Sequence, residues 1–184
     1  MGPSREERRA RYVAKAKAEL EGLTARGVQM AGNAFSPILL VKGEPSNEER
    51  SGGKLLAGED GTALRAALQA LGYAPEDWAA LATWHEGGES LEADLLREAV
   101  CALDPATLVA CDEAATELVR EAYADDLASL ESFEEAMLAD GVVAQVAGMR
   151  VLSLGGFAAA LGDKQQKQIM WRRLKQVPPL GEPY

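Results

Sequence analysis

The chain alternates short apolar runs with segments of helical periodicity. SPILLVKGEP at 36–45 is a continuous apolar run ending in Gly43 and Pro45, and it predicts a buried strand feeding a tight turn. TLVAC at 107–111 predicts a second buried strand, and WAALATW at 78–84 fits either a strand or a helix. VVAQVAGMRVLSL at 142–154 has strand-forming runs on both sides of Gly148, which predicts a hairpin whose second arm returns to the main sheet. Ser4 with Glu7 is a capping-box pattern ahead of a helix over 5–22 carrying Tyr12, Val13, Ala16, Leu20 and Leu23. Asp60 is expected to cap a helix with Ala63, Ala67, Leu68 and Leu71, ended by Gly72. Ser90 is expected to open a helix with Leu91, Leu95, Ala99 and Leu103, closed by Asp104-Pro105. Asp112 is placed to cap a helix with Ala115, Leu118, Val119 and Ala122, and Ser132 with Glu135 repeats the capping box before a stop at Gly141. Asp163 caps a last helix with Ile169, Met170 and Leu174, stopped by Pro178-Pro179.

This alternation predicts an α/β fold, a parallel sheet with helices on both faces, and ligands at the carboxyl ends of the strands. The loops after about 42, 84, 111 and 154 are then the places for chemistry. One domain over 1–184 is expected, with a basic helix in 1–30, an α/β core in 36–177 and a tail from 178. The size of 184 residues, 47% hydrophobic and 26% charged, fits that organisation. No apolar run approaches the ~18 residues of a membrane span, and MGPSREERRARY lacks the apolar centre of a secretory signal. A cytoplasmic setting without a membrane partner is the expectation. Cys101 and Cys111 are too few for a disulfide scaffold or a four-thiolate site, and no metal or cofactor is expected.

The net charge of −10 argues against holding nucleic acid by bulk positive charge. Its distribution changes that picture. Residues 1–30 hold seven Lys or Arg and four Asp or Glu, residues 151–184 hold five and two, and residues 101–150 hold two and eleven. The ends are basic and the middle strongly acidic. If the ends share one side the surface is polarised; otherwise they are two solvated basic helices.

Of the four loops, KGEPSNEERSGGKLLAGEDG at 42–61 is the richest. Its glycines allow close backbone approach to a ligand, and Glu44 can orient a water. The same composition also fits an exposed connection. Neither a Walker-type element nor a dinucleotide fingerprint is present. His85, the only histidine, sits beside Glu86 and Glu89 and is a weak candidate for a base or ligand against a surface or packing role. After Cys111, Asp112 and Glu113 read as helix caps. LGGFAAALGD at 154–163 offers no acid, base or nucleophile before Asp163. The last helix presents Lys164, Lys167, Arg172, Arg173 and Lys175, able to grip a phosphate backbone or to form a solvated face.

Gly43-Glu44-Pro45, then Asn47-Glu48-Glu49-Arg50-Ser51-Gly52, then Gly58 and Gly61 resemble the motif G-E-A-P-G-x-x-E-D-x-x-G-x-P-F of the uracil-DNA glycosylase superfamily, in its bacterial and archaeal iron–sulfur branch. Residues 62–78 look like that family's next helix, 96–115 like its helix leading to a central strand, and 163–177 like its closing helix. The resemblance spans about 36–177. It implies a three-layer α/β/α fold around a four-stranded, mostly parallel sheet, and hydrolysis of the uracil–deoxyribose bond on a flipped base. On the matching positions it implies catalytic roles for Glu44 and Glu48, and ligand contacts from Gly43, Asn47, Gly52, Gly155, Gly156 and Phe157. The departures are specific. Lys54-Leu55 replaces Pro-Phe, Ala82 or Thr83 stands where an Asn reads uracil, and Gly155, Gly156 and Phe157 occupy the place of His-Pro-Ser. Two cysteines cannot hold the cluster, which takes four. Loss of a charge-stabilising donor alone costs about 10²–10³ in rate.

The expectation is therefore a divergent glycosylase-like protein without ordinary uracil excision, keeping a cleft for DNA, a nucleobase or a nucleotide. One alternative is an active glycosylase or hydrolase using Glu44 or Glu48 on a water, with His85 as accessory acid. The other is an acidic interaction or scaffold protein whose 101–150 segment binds a basic partner.

Overall fold

A computed structural model describes residues 2–178. Helix α1 (Arg5–Ala25) leads into strands β1 (Val28–Gly32) and β2 (Ile38–Lys42), then a one-turn helix α2 (Asn47–Arg50) and helix α3 (Glu59–Ala70). Strand β3 (Trp78–His85), helix α4 (Ala93–Leu103), strand β4 (Thr107–Ala110) and helix α5 (Glu113–Ala122) follow. Two short helices, α6 (Ala124–Ala128) and α7 (Phe133–Ala136), precede the hairpin β5 (Val143–Val146) and β6 (Met149–Ser153). Helices α8 (Phe157–Ala160) and α9 (Lys164–Leu174) close the described chain.

The six strands form one sheet in the order β1-β3-β2-β4-β6-β5. β3, β2, β4 and β6 run parallel, and β1 and β5 add antiparallel edges. The expected four-stranded sheet is thus corrected to six strands, of which the inner four are parallel. Strand β1 was not read from the sequence because VQMAG is short and half-buried, with none of the continuous apolarity of an inner strand. It needs only one partner, β3, and its register shifts between Val28 and Met30.

Both faces of the sheet are covered. On one, Leu39, Val41, Leu81, Leu108 and Val151 pack with Leu23 of α1, Leu96 and Val100 of α4, and Leu118 and Val119 of α5. On the other, Ile38, Leu40, Ala80, Val109 and Leu152 pack with Leu64 and Leu68 of α3, Phe157 of α8, and Met170 and Leu174 of α9. The three layers follow from period-2 alternation in strands buried on both sides. WAALATW resolves as strand because its neighbours bury it from Trp78 to Trp84. The hairpin turns through Ala147 and Gly148, both at positive φ, as a two-residue loop matched to strand twist requires.

Several caps fall as expected. Ser4 and Glu7 form the reciprocal box, and Asp112, Ser132 and Asp163 cap α5, α7 and α9. Three expectations are corrected. Ser132 accepts the Glu135 N–H without the reciprocal bond of a capping box, and its helix ends at Ala136, short of Gly141. Ser90 pairs with Trp84 in a β-bridge, and α4 starts only at Ala93. Asp60 caps nothing: α3 begins after Gly58 without a side-chain cap, and the Asp60 carboxylate turns inward to a buried charge. Among the described residues no helix is long and apolar enough to cross a membrane.

Gly61, in the first turn of α3, is where sequence and structure give opposite signs. Helix propensity makes Gly61→Ala stabilising by about 1 kcal/mol. A Cβ there would lie 1.8 Å from the Leu56 carbonyl oxygen, so the loop must move. Urea unfolding of Gly61→Ala is expected to show a loss of about 1–3 kcal/mol, the cost of overpacking; a gain would refute this packing.

Candidate functional site

Lys42 ends the central strand β2 on the face shared by Ile38 and Leu40, and is only 2% exposed. A lysine so buried needs counter-charges. Glu49 of α2 and Asp60 of α3 supply them, both paired directly with Nζ. Glu49 also accepts the Ser46 N–H at 2.9 Å on Oε1 and the Leu56 N–H at 3.1 Å on Oε2. It is the reciprocal residue of a capping box with Ser46. One carboxylate therefore pairs the buried ammonium, closes α2 and pins the chain at Leu56. Burial alone would push Lys42 down, but its bonds to Asp60 and Glu49 hold it above the usual 10.5. Burial likewise acts to raise Glu49, yet Lys42 and the Ser46 and Leu56 N–H groups bring it below 4.5.

A second carboxylate organises the same edge. Asp112 accepts the N–H of Gly43 at 3.0 Å and of Glu44 at 2.9 Å, and caps α5 through the Ala115 N–H at 2.9 Å. It ties the turn after β2 to the turn after β4. Gly43 is required there, because a Cβ would fall 2.3 Å from the Ala115 nitrogen. From β2 the chain passes outward to β3 on one side, while β4 lies on the other. The clamp thus marks the point where the sheet's winding reverses, the usual crevice of such folds.

A hollow of about 530 Å³ opens at this edge, lined by Glu44, Ser46, Asn47, Glu48, Arg50, Glu59, Ala158 and Leu161, with Lys42 and Asp60 at its floor. A Cβ on Gly58 would lie 3.1 Å from both Glu48 Oε2 and Ser46 Oγ and 3.2 Å from Asp60 Oδ1, so polar atoms converge on that bare backbone. Glu49 and Asp60 together exceed Lys42 by one formal negative charge, and the exposed carboxylates of Glu44, Glu48 and Glu59 outweigh Arg50. The wall disfavours polyanions and suits neutral or cationic groups bearing N–H donors. A smaller hollow of about 340 Å³ lies on the other side of the loop, among Gly43, Pro45, Thr83, Trp84, Ser90, Glu117 and Glu121.

Of the residues singled out in the sequence, Glu44, Asn47 and Glu48 come together in the larger hollow and Gly43 borders the smaller. Gly52 is exposed at a turn with φ +88 and open space around it. Gly155 sits against Asp140 and Arg173, and Phe157 is buried among α3, α8 and α9. The segment standing for His-Pro-Ser thus faces away, and α8 reaches the hollow through Ala158 and Leu161 instead. His85 is turned to the outer strand, where a Cβ on Gly27 would lie 3.1 Å from its Nδ1. It lines neither hollow. Lys164 and Arg172 are exposed, and Lys167 borders an apolar groove with Trp171 and Met170. Arg173 donates to the Leu154 carbonyl at 2.5 Å and braces the β6 end. The basic helices lie on opposite faces: α1 packs with the α4–α5 side and α9 with the α3–α8 side. The polarised surface that shared ends would give is not formed.

Lys42, Glu49, Asp60 and the bridging role of Asp112 were missed from the sequence. Two signals pointed to them: a lysine closing a fully apolar run, which demands buried acids, and the Ser46-x-x-Glu49 capping box inside the loop. Among the described residues no group of three His, Cys, Asp or Glu is arranged to hold a metal ion. Cys101 and Cys111 are both free. Burial pushes the Cys111 thiol far up, so it is no thiolate nucleophile at neutral pH.

Lys42→Met leaves Glu49 and Asp60 buried without a counter-charge, and a loss of about 3–5 kcal/mol in urea unfolding is expected. The Glu49 contribution is complete above its unfolded value of 4.5 and is lost as pH falls through its lower folded value. Glu49→Gln is therefore expected to be less stable at neutral pH and to show a shallower loss below pH 4.5 than the parent chain; parallel pH profiles would contradict this. No protein-family model matches the chain, and no curated protein matches it.

Proposed function

We propose that this chain is a ligand-binding protein of the uracil-DNA glycosylase-like kind, taking a nucleobase or similarly flat polar molecule at the carboxyl end of β2, without uracil excision. One observation carries the reading: the hollow at the reversal point of the sheet, walled by the 44–50 segment and α8. Its volume of about 530 Å³ lies within the range of small-ligand sites. Lys42, Glu49 and Asp112 hold the wall in place, so little conformational entropy is lost on binding. Asn47 offers both a donor and an acceptor to a base edge, and Glu44 and Glu48 offer acceptors to ring or exocyclic N–H groups.

The chemistry of excision fits this wall poorly. Cleavage leaves negative charge on the departing base, and stabilising it takes a donor aimed at the developing charge. Gly155, Gly156 and Phe157 bring no such side chain to the hollow, and Glu44, Glu48 and Glu59 would repel the anion. A second reading, a hydrolase using Glu44 or Glu48 on a water, is favoured by the presence of both carboxylates in one hollow. It does not call on His85.

The test pairs an excision assay with a binding titration. Uracil-containing single- and double-stranded oligonucleotides are expected to stay intact. Free nucleobases followed by calorimetry or protein NMR are expected to bind, with perturbed signals at 44–50 and 158–161. Asn47→Ala, at an exposed position, is expected to weaken binding about tenfold, the loss of one hydrogen bond of ~1–1.5 kcal/mol. Efficient excision abolished by Glu44→Ala would overturn the reading in favour of the hydrolase, and no binding of any base would overturn both the ligand class and the site.

A further inference from the structure

Among the described residues the exposed large hydrophobic side chains are Tyr12, Val13, Phe35, Phe133 and Met137. Four of the five fall on two surfaces of opposite charge. The first is α1. Of its 21 residues only Leu23 is buried, and Leu20 packs beside it, so the helix rests on α4 and β1 through its C-terminal part. The stripe of Leu23 and Leu20 continues at helical spacing through Ala16 to Tyr12, out along the projecting part, where Tyr12 is 66% exposed. Around it, residues 5–17 carry six Lys or Arg and two Glu.

The second surface is α6–α7 with its flanks. Residues 124–140 carry six Asp or Glu and neither Lys nor Arg; Arg97 pairs with Asp126 and Arg120 donates to the Met137 carbonyl, so Asp125, Glu131, Glu134 and Glu135 carry the unpaired charge of this face. In their midst Phe133 is 78% exposed, with Met137 one turn further on. α7 packs on β5, and β5 and β1 are the two outer strands of the sheet. Five strand spacings, about 24 Å, separate those edges. Within one molecule the basic helix and the acidic surface therefore stand at opposite ends.

We propose that two copies of this chain associate through these surfaces, the projecting α1 of one lying on the acidic α6–α7 face of the other, with Tyr12 and Val13 against Phe133 and Met137. A two-fold arrangement satisfies both surfaces of each copy and leaves none for growth. The apolar pairs give the contact its buried centre, and the charges steer it and make it salt-dependent. The association is independent of the ligand hollow, which lies at the carboxyl edge of β2 and contains none of these residues.

Sedimentation velocity on the full chain tests it. At low salt the mass is expected near twice the single-copy 19.6 kDa, falling toward 19.6 kDa at about 0.5 M salt. Two charge-reversed variants decide the surfaces: Arg8→Glu with Arg11→Glu and Lys15→Glu, and Glu131→Lys with Glu134→Lys and Glu135→Lys. All six positions are at least partly solvent-exposed, and circular dichroism is expected to be unchanged. Each variant alone is expected to run as a single copy. Mixed, they are expected to recover the pair, since each then meets its complement. A single-copy mass for the parent chain at low salt, variants that still associate alone, or a mixture that fails to associate would each overturn the proposal. So would an association that dissolves on nuclease treatment, which would assign α1 to nucleic acid.

Discussion

A lysine at the end of the central strand, with its ammonium shut away from water, is the constraint around which this edge of the molecule is built. Lys42 cannot stay charged in the core without partners, and its own strand offers none. The partners come from the following connection, so the segment from Gly43 to Gly61 is drawn down on to the sheet instead of looping through solvent. Glu49 completes the ion pair and the α2 cap with one carboxylate. Asp60 gives up a capping role at α3 to reach the same ammonium. Such a cluster is a modest source of net stability, because desolvation offsets most of the attraction. Its larger effect is on conformation, since any other path for the loop leaves a buried charge unpaired.

Asp112 extends that constraint across the reversal point of the sheet. By accepting from Gly43 and Glu44 while capping α5, it fixes two strand-to-helix turns relative to one another. The hollow beside them is consequently preformed, and its outer wall is made of carboxylates that the pairing has not used. A site for phosphates or for a leaving anion needs donors and positive charge, and this one presents acceptors. Arg50 is the one exposed cation in its lining, and the two basic helices, α1 and α9, lie on opposite faces of the sheet. The net charge of −10 is thus unevenly spread: the carboxyl edge beside β2 and the outer edge at α7 are acidic, and α1 and α9 are basic.

The order of elements was legible because each inner element carries a local signal. The strands 38–42 and 107–110 are continuous apolar runs, the hairpin is marked by Gly148, and Ser4, Asp112, Ser132 and Asp163 stand where a cap needs an acceptor. β1 gave no such signal, since an edge strand buries only part of its surface and owes its existence to β3. Ser90 and Asp60 departed for different reasons: the Ser90 backbone is taken into a bridge with Trp84, and the Asp60 carboxylate is drawn to the buried Lys42.

The site follows the same division. Glu44 could be picked out as a carboxylate among glycines after a strand, and Asn47 and Glu48 only through the resemblance to the glycosylase motif. The α/β alternation, the caps at Ser4, Asp112, Ser132 and Asp163 and the separation of charge along the chain rest on neighbours within a few residues and are written locally. Which carboxylate would be buried, where His85 would point and whether the two basic ends would meet were decided only by tertiary structure. Those outcomes depend on contacts between residues far apart in the chain, such as Gly43 with Asp112, or Gly27 with His85. They are set by packing on a particular face of the sheet, which no local pattern encodes.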